Sequence, residues 1–368
     1  MSEYIGFNPD WISPPGDTMV DILAERQIST SDFARQMGQS PRHAQQLLQG
    51  QLEITPELAQ QLEAVLGAPA SFWATRESQY RNAVVRLEQE SKRQSATQWL
   101  KELPLKDMLN FGWINKLAAN MEEACLDFFG VTSIDEWKNT NQALLQAVAF
   151  RTSPSYKQQA GAVSAWLRKG ELEANLIDTK PWDASRFTET LPDIRTLTRK
   201  ADPQVFIPEL RRLCAGCGVA VVTIRAPQGC RASGATRFLT PEKALLLLSF
   251  RHLSDDHFWF SFFHEAGHLL LHSKKSLFIE ESKMTASKEE DEANEFAARA
   301  LIPLQYETEL LGLSADERGV MKFSRRIGIA RGIVVGQLQH RRIIKRNQLN
   351  NLKTRYTWGD DNSPCNKI

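Results

Sequence analysis

The chain has 368 residues with 45 Lys and Arg against 44 Asp and Glu, a length that predicts two or three domains and a charge balance that announces no partner. Its 42% hydrophobic and 24% charged residues exclude a wholly disordered or collagen-like chain. The most apolar stretch, Lys243 to His272, is broken by Arg251, Asp255 and Asp256, so its pieces fall short of the roughly 20 residues of a membrane span and no membrane association is expected.

The opening MSEYIGFNPDWISPPG lacks a basic segment followed by an apolar one, so no secretory signal is expected. Five scattered cysteines, an odd number, argue against a disulfide framework. Both features predict a cytoplasmic location. The neutral total conceals an asymmetry. Residues 1–80 hold ten acidic residues against four arginines, a net −6, whereas Lys322 to Arg355 hold ten basic residues and no acid. These are surfaces for different partners.

Residues 1–80 read as short helices between clear stops. One covers Gly16 to Gln27. Ser29 or Thr30 caps a second that Gly38 ends, and Ser40 with Pro41 opens a third that stops at Gly50 with Ala44, Leu47 and Leu48 inward. Thr55 with Pro56 starts a fourth, running to Gly67. Two short helices joined by a tight Gly turn make a helix-turn-helix. The stretch from SPPGD to GAPASFW, with its G-x-x-x-ITPE-x-A segment, resembles the HigA-type antitoxins of the Xre helix-turn-helix group. That resemblance implies a homodimer on operator DNA and a recognition helix over Ser40 to Gln49, with Ser40, Arg42, His43, Gln45 and Gln46 facing the bases. Gln39 departs from the family, which usually has an apolar residue there. The acidic charge leaves only Arg26, Arg35, Arg42 and Arg76 for phosphates, so a dimerisation or protein-binding module is the other reading.

From Arg81 to about Asp202 the pattern is polar and helical. After Pro203 a helix ends at Gly216, and Gly218 to Ile224 and Lys243 to Phe250 read as strands. Ser254, Asp255 and Asp256 start a helix to His272 that is apolar on every side and therefore buried. The predicted fold is multidomain and mainly α, with an all-α helix-turn-helix bundle over 1–80 and a helical intermediate region over 81–202. A small α+β zincin-like core follows over 203–310, then a basic helical region over 311–368.

Within the buried helix stand His264, Glu265 and His268, an H-E-x-x-H. Two imidazoles and a carboxylate in an apolar helix carry a desolvation cost of several kcal/mol unless something compensates them. The histidines, one turn apart, can converge on one ion, while Glu265, about 100° away, can reach a water. Leu271 and Lys274 stand where the metzincin pattern needs Gly and His, which excludes that third ligand. In the following helix, residues 286–302, Glu290 falls in the middle of the stripe of Ala293, Phe296, Ala297, Ala300 and Leu301. It is the predicted third ligand, with Glu289 in reserve, Asn294 as its orienting partner, and Glu292 and Glu295 projecting elsewhere. His272 and His257 share the ligand face as hydrogen-bonded supports. Lys243 to Phe250 is a candidate sheet edge for an extended substrate.

About Cys217 to Arg342, with its SFFHEAGHLLLH and EEDEANEFAARALIP motifs, resembles the ImmA/IrrE family of metallo-endopeptidases. The resemblance implies zinc or manganese on His264, His268 and Glu290, Glu265 as general base, and a repressor as substrate, with an Xre-type helix-turn-helix fused or nearby. The expected function is a DNA-binding regulatory zinc metallo-endopeptidase. The alternative is an antitoxin or transcriptional regulator whose zincin domain binds a toxin or senses a ligand without hydrolysis. Cys214 and Cys217 form a C-x-x-C with no second pair, structural or redox. The basic run at Arg341, Arg342, Lys345 and Arg346 is either a solvated helix face or a contact for DNA or an acidic partner.

Overall fold

A computed structural model describes residues 13–141, 155–272, 278–281, 288–359 and 362–366; residues 1–12, which carry most of the segment read for a signal, and 286–287 lie outside them. The chain divides into two compact units, 1–97 and 98–368. Among the described residues no helix is long and apolar enough to cross a membrane.

The first unit is built from α1 (Pro15–Glu25), α2 (Thr30–Gln36), α3 (Pro41–Leu48), α4 (Pro56–Leu66) and the start of α5 (Ala70–Glu102). Its boundaries follow local chemistry. Ser29, Ser40 and Thr55 accept hydrogen bonds from Asp32, His43 and Leu58 N–H, and Gly67, at φ 73°, ends α4. Met19, Leu23, Phe33, Leu47, Leu62 and Trp73 fill the core. Gly16 permits the closest crossing, since a Cβ there would stand 1.9 Å from the Leu48 carbonyl oxygen. The apolar spacing in α1 to α4 thus becomes one small bundle, with α2 and α3 as its helix-turn-helix pair.

The second unit starts with α6 (Leu105–Asn110), α7 (Met121–Phe129), α8 (Ile134–Thr140), α9 (Ser155–Asn175), α10 (Ala184–Leu197) and α11 (Pro203–Ala215). A four-stranded sheet follows, formed by β1 (Val219–Thr223), β2 (Ala232–Thr240), β3 (Lys243–Leu248) and β4 (Phe278–Glu281) in the order β1-β3-β2-β4. β3 runs parallel to β1 and antiparallel to β2, and β2 antiparallel to β4. The expectation of an edge at 243–250 is therefore corrected: β3 is central. Its continuous apolar run is the reason, because Ala244 to Leu248 are buried on both faces. β2 carries no apolar alternation that marks it as a strand, since Gly234 and Arg237 interrupt it.

The buried α12 (Asp255–Leu271) packs against β2, β3 and α13 (Lys288–Leu301). Then come α14 (Glu307–Leu311), α15 (Glu317–Ile327), α16 (Arg331–His340) and a hairpin of β5 (Tyr356–Trp358) with β6 (Pro364–Asn366). One core joins Trp259, Phe262 and Phe263 of α12 to Phe206, Leu246, Phe323, Val334 and Tyr356. The basic run at 341–346 is not a helix face. α16 stops at His340, and Arg342 takes φ 60°, a turn conformation. The protein is thus multidomain and mostly helical, with a small mixed sheet beside the helix that carries the H-E-x-x-H.

Candidate functional site

α12 is held by aromatic packing. Phe258, Trp259, Phe262 and Phe263 are all 3% exposed or less, and Phe250 stacks on Phe258 with ring centroids 4.1 Å apart. That packing anchors the helix through the side opposite the two histidines. His264 is 1% exposed, Glu265 0% and His268 2%. The two histidine Nε2 atoms stand 3.0 Å apart. Glu290 of α13 brings Oε2 to 3.3 Å from His264 Nε2 and Oε1 to 3.4 Å from His268 Nε2. Three ligand atoms on one ion at about 2.05 Å, tetrahedrally arranged, would be about 3.3 Å apart. The donor set, two imidazoles and a carboxylate, and its spacing therefore fit a zinc-sized ion. Among the described residues these three form the one cluster of His, Cys, Asp or Glu groups with such convergence.

Electrostatics follow the same geometry. Burial opposes ionisation of Glu290, but its close contacts with the His264 and His268 imidazoles outweigh it and bring the carboxyl down to about 2. Burial also lowers the pKa of His268, against the pull of Glu290. Both shifts favour a carboxylate beside neutral imidazole, the forms in which these groups ligate a metal.

The supporting contacts differ from expectation in two places. Asn294 Oδ1 lies 3.0 Å from Nδ1 of His264, where Glu290 was the expected partner. An amide oxygen accepts, so His264 Nδ1 donates and Nε2 turns its lone pair to the cluster. Glu292 does not project away from the site: its Oε2 is 3.2 Å from His272 Nε2. His272 Nδ1 in turn lies 2.9 Å from His268 Nδ1. With His272 donating to Glu292, His268 Nδ1 donates to His272, and His268 Nε2 is left as a ligand atom. Glu292 stands about 100° round the helix from Ala293, beyond the edge of the apolar stripe, so helical periodicity alone points it to solvent. Glu295 does face outward, paired with Arg299.

Glu265 points to the sheet. Thr236 Oγ1 of β2 donates to its Oε2 at 3.0 Å, and Gly234 opens the space for it. Neither residue was singled out from sequence, because the strand that carries them was not. The His257 ring is tilted by 31° against His252 with centroids 4.1 Å apart, and its Nε2 lies 4.0 Å from Asp256. The start of α12 holds two buried acids. Asp256 pairs with Lys353 at 2.6 Å. Asp255 accepts from Thr354 N–H at 3.1 Å, and burial, with the Asp256 charge, raises its carboxyl to about 7. Cys214 and Cys217 are free and buried, and burial pushes the Cys214 thiol well above its ordinary value, as befits a packed side chain.

On α3, Arg42 and Gln45 are exposed and His43 and Gln46 half-buried. Ser40 is exposed, its hydroxyl accepting the His43 N–H at 3.2 Å as the cap of α3. The five residues thus lie on or at the start of the second helix of the pair.

Residues 219–335 match the IrrE N-terminal-like domain of the M78 peptidases. A 59-residue stretch, 16% of the chain, is 39% identical to YddM of Escherichia coli (strain K12), described as an uncharacterized HTH-type transcriptional regulator; the match spans 63% of that protein's length. The chain therefore combines a segment similar to a helix-turn-helix regulator with an IrrE N-terminal-like domain that contains α12, the sheet and α13.

Proposed function

We propose that the chain is a regulatory metallo-endopeptidase whose helix-turn-helix unit addresses operator DNA. The observation that carries the reading is the convergence of His264, His268 and Glu290 with Glu265 buried alongside, one residue from the first ligand. These three side chains would hold a zinc ion, or manganese, which when bound supplies a Lewis acid and lowers the pKa of water towards about 7. Glu265 accepts the proton of the attacking water and returns it to the leaving amine nitrogen. Thr236 fixes the Oε2 side of that carboxylate, and Asn294, His272 and Glu292 hold the imidazole tautomers.

A repressor or another regulatory protein is the proposed substrate, and a cytoplasmic homodimer the proposed form. Similarity to an HTH-type regulator and the exposed Arg42 and Gln45 support the DNA role. A second reading rests on the net −6 of residues 1–80, which suits a basic toxin; the metal centre then serves binding or sensing. Co-expression with the products of neighbouring genes separates the two. A cleavage product that forms with the wild type and is lost with Glu265→Gln supports the peptidase; an uncleaved, co-purifying partner with both forms supports the second reading.

A further inference from the structure

A cavity of about 330 Å³ lies against the carboxyl end of β1, and no part of the metal centre lines it. Its charged residues are Lys169 and Glu173 of α9, Arg211 of α11, and Arg225, with Phe111 and Trp113 as an aromatic wall. Lys169 Nζ sits 2.5 Å from Glu173 Oε1, so those two charges offset each other. Among the described residues neither guanidinium makes an ion pair with a carboxylate. Arg211 donates through Nη2 to Thr223 Oγ1 at 3.1 Å, and its buried Nε meets no acceptor among the described residues. Burial lowers the pKa of Arg211, opposed by Glu173 at longer range. Arg225 lies over the Phe111 ring, 5.3 Å from its centroid, with no carboxylate ion pair among the described residues. Trp113 is backed by Phe128, stacked at 6.2 Å and 4°, which holds the indole in place.

Arg211, Arg225 and Lys169 outnumber the single carboxylate of Glu173 in this concave site, which favours an anion, and the forked guanidinium donors match phosphate oxygens. An aromatic wall beside them selects a planar ring. The volume stands at the lower end of the roughly 300–1,000 Å³ of small-molecule sites, enough for one nucleotide. We propose that this cavity binds a nucleoside monophosphate, with its phosphate on Arg211 and Arg225 and its base against the Phe111 and Trp113 wall. The proposal is independent of the peptidase reading.

Calorimetric titration of the full-length protein with AMP, GMP, CMP and UMP, and with inorganic phosphate, tests it. At least one nucleotide should bind saturably and about tenfold or more tighter than phosphate. Arg225→Ala should weaken that binding about tenfold by removing a charge-assisted contact, with an unchanged melting temperature because Arg225 is exposed. Trp113→Leu should erase the preference for nucleotide over phosphate. No saturable heat for any of the four up to about 5 mM, wild-type affinity in Arg225→Ala, or phosphate binding as tightly as nucleotide would each overturn the proposal.

Discussion

Thr236 and Glu265 join the sheet to the H-E-x-x-H helix through one buried hydrogen bond, Oγ1 to Oε2 at 3.0 Å. The neighbouring Gly234 completes the cradle, since a Cβ there would lie 2.5 Å from Glu265 Oε1. Thr236→Val keeps the shape and removes the donor, so it should lower unfolding free energy by about 1.5–3 kcal/mol, the worth of a hydrogen bond to a charged group. Thr236→Ser should retain most of it. Equal stability of the valine and serine variants in chemical denaturation would contradict the contact.

The carboxylates of α13 should sort by what they touch. Glu290→Ala should abolish tight metal binding. Glu292→Ala should weaken it about tenfold by releasing His272 and with it the His268 tautomer. Glu295→Ala should leave it unchanged, because that side chain pairs outward with Arg299. Competition with a chromophoric chelator measures all three. A Glu295 effect as large as that of Glu290 would overturn the arrangement.

Asp255 predicts a pH dependence of stability. Its folded value of about 7 lies above its ordinary 3.8. The raised value favours the protonated form in the fold, so its contribution is fully present below pH 3.8 and is lost as pH rises through 7. The loss amounts to as much as about 4 kcal/mol. Asp255→Asn should therefore stabilise the protein at pH 8 and change it little near pH 4. Parallel denaturation curves for the two proteins at both pH values would refute this.

DNA recognition should depend on α3. In the full chain Arg42→Ala should cost about 1–3 kcal/mol of operator affinity, on an inverted repeat with half-sites about one helical turn apart. Any steep salt dependence should come from Lys322 to Arg355 and survive that substitution. Footprinting at two salt concentrations reads both effects, and equal affinity for operator and scrambled DNA would assign the unit to protein binding.

The parts of this fold that local chemistry specifies were legible in the sequence. Ser29, Ser40, Thr55 and Gly67 mark the ends of the helices they cap, and the all-round apolar α12 announces its burial. The phase of Glu290 followed from the Ala293, Ala297 and Leu301 stripe, all buried. What escaped was tertiary. β2 has no apolar alternation because its Thr236 and Gly234 serve Glu265, and β3 became central through pairing that periodicity does not encode. Asn294 and Glu292 sit where the crossing of α12 and α13 places them, and that angle is set by packing rather than by spacing along either helix.

Metal content is the most direct measure of the central claim, that His264, His268 and Glu290 hold an ion beside Glu265. Elemental analysis of the protein purified without chelator should give about one equivalent of zinc or manganese, and His264→Ala should give almost none with a lower melting temperature. A folded wild type that holds no metal and takes up none from excess zinc would contradict the claim.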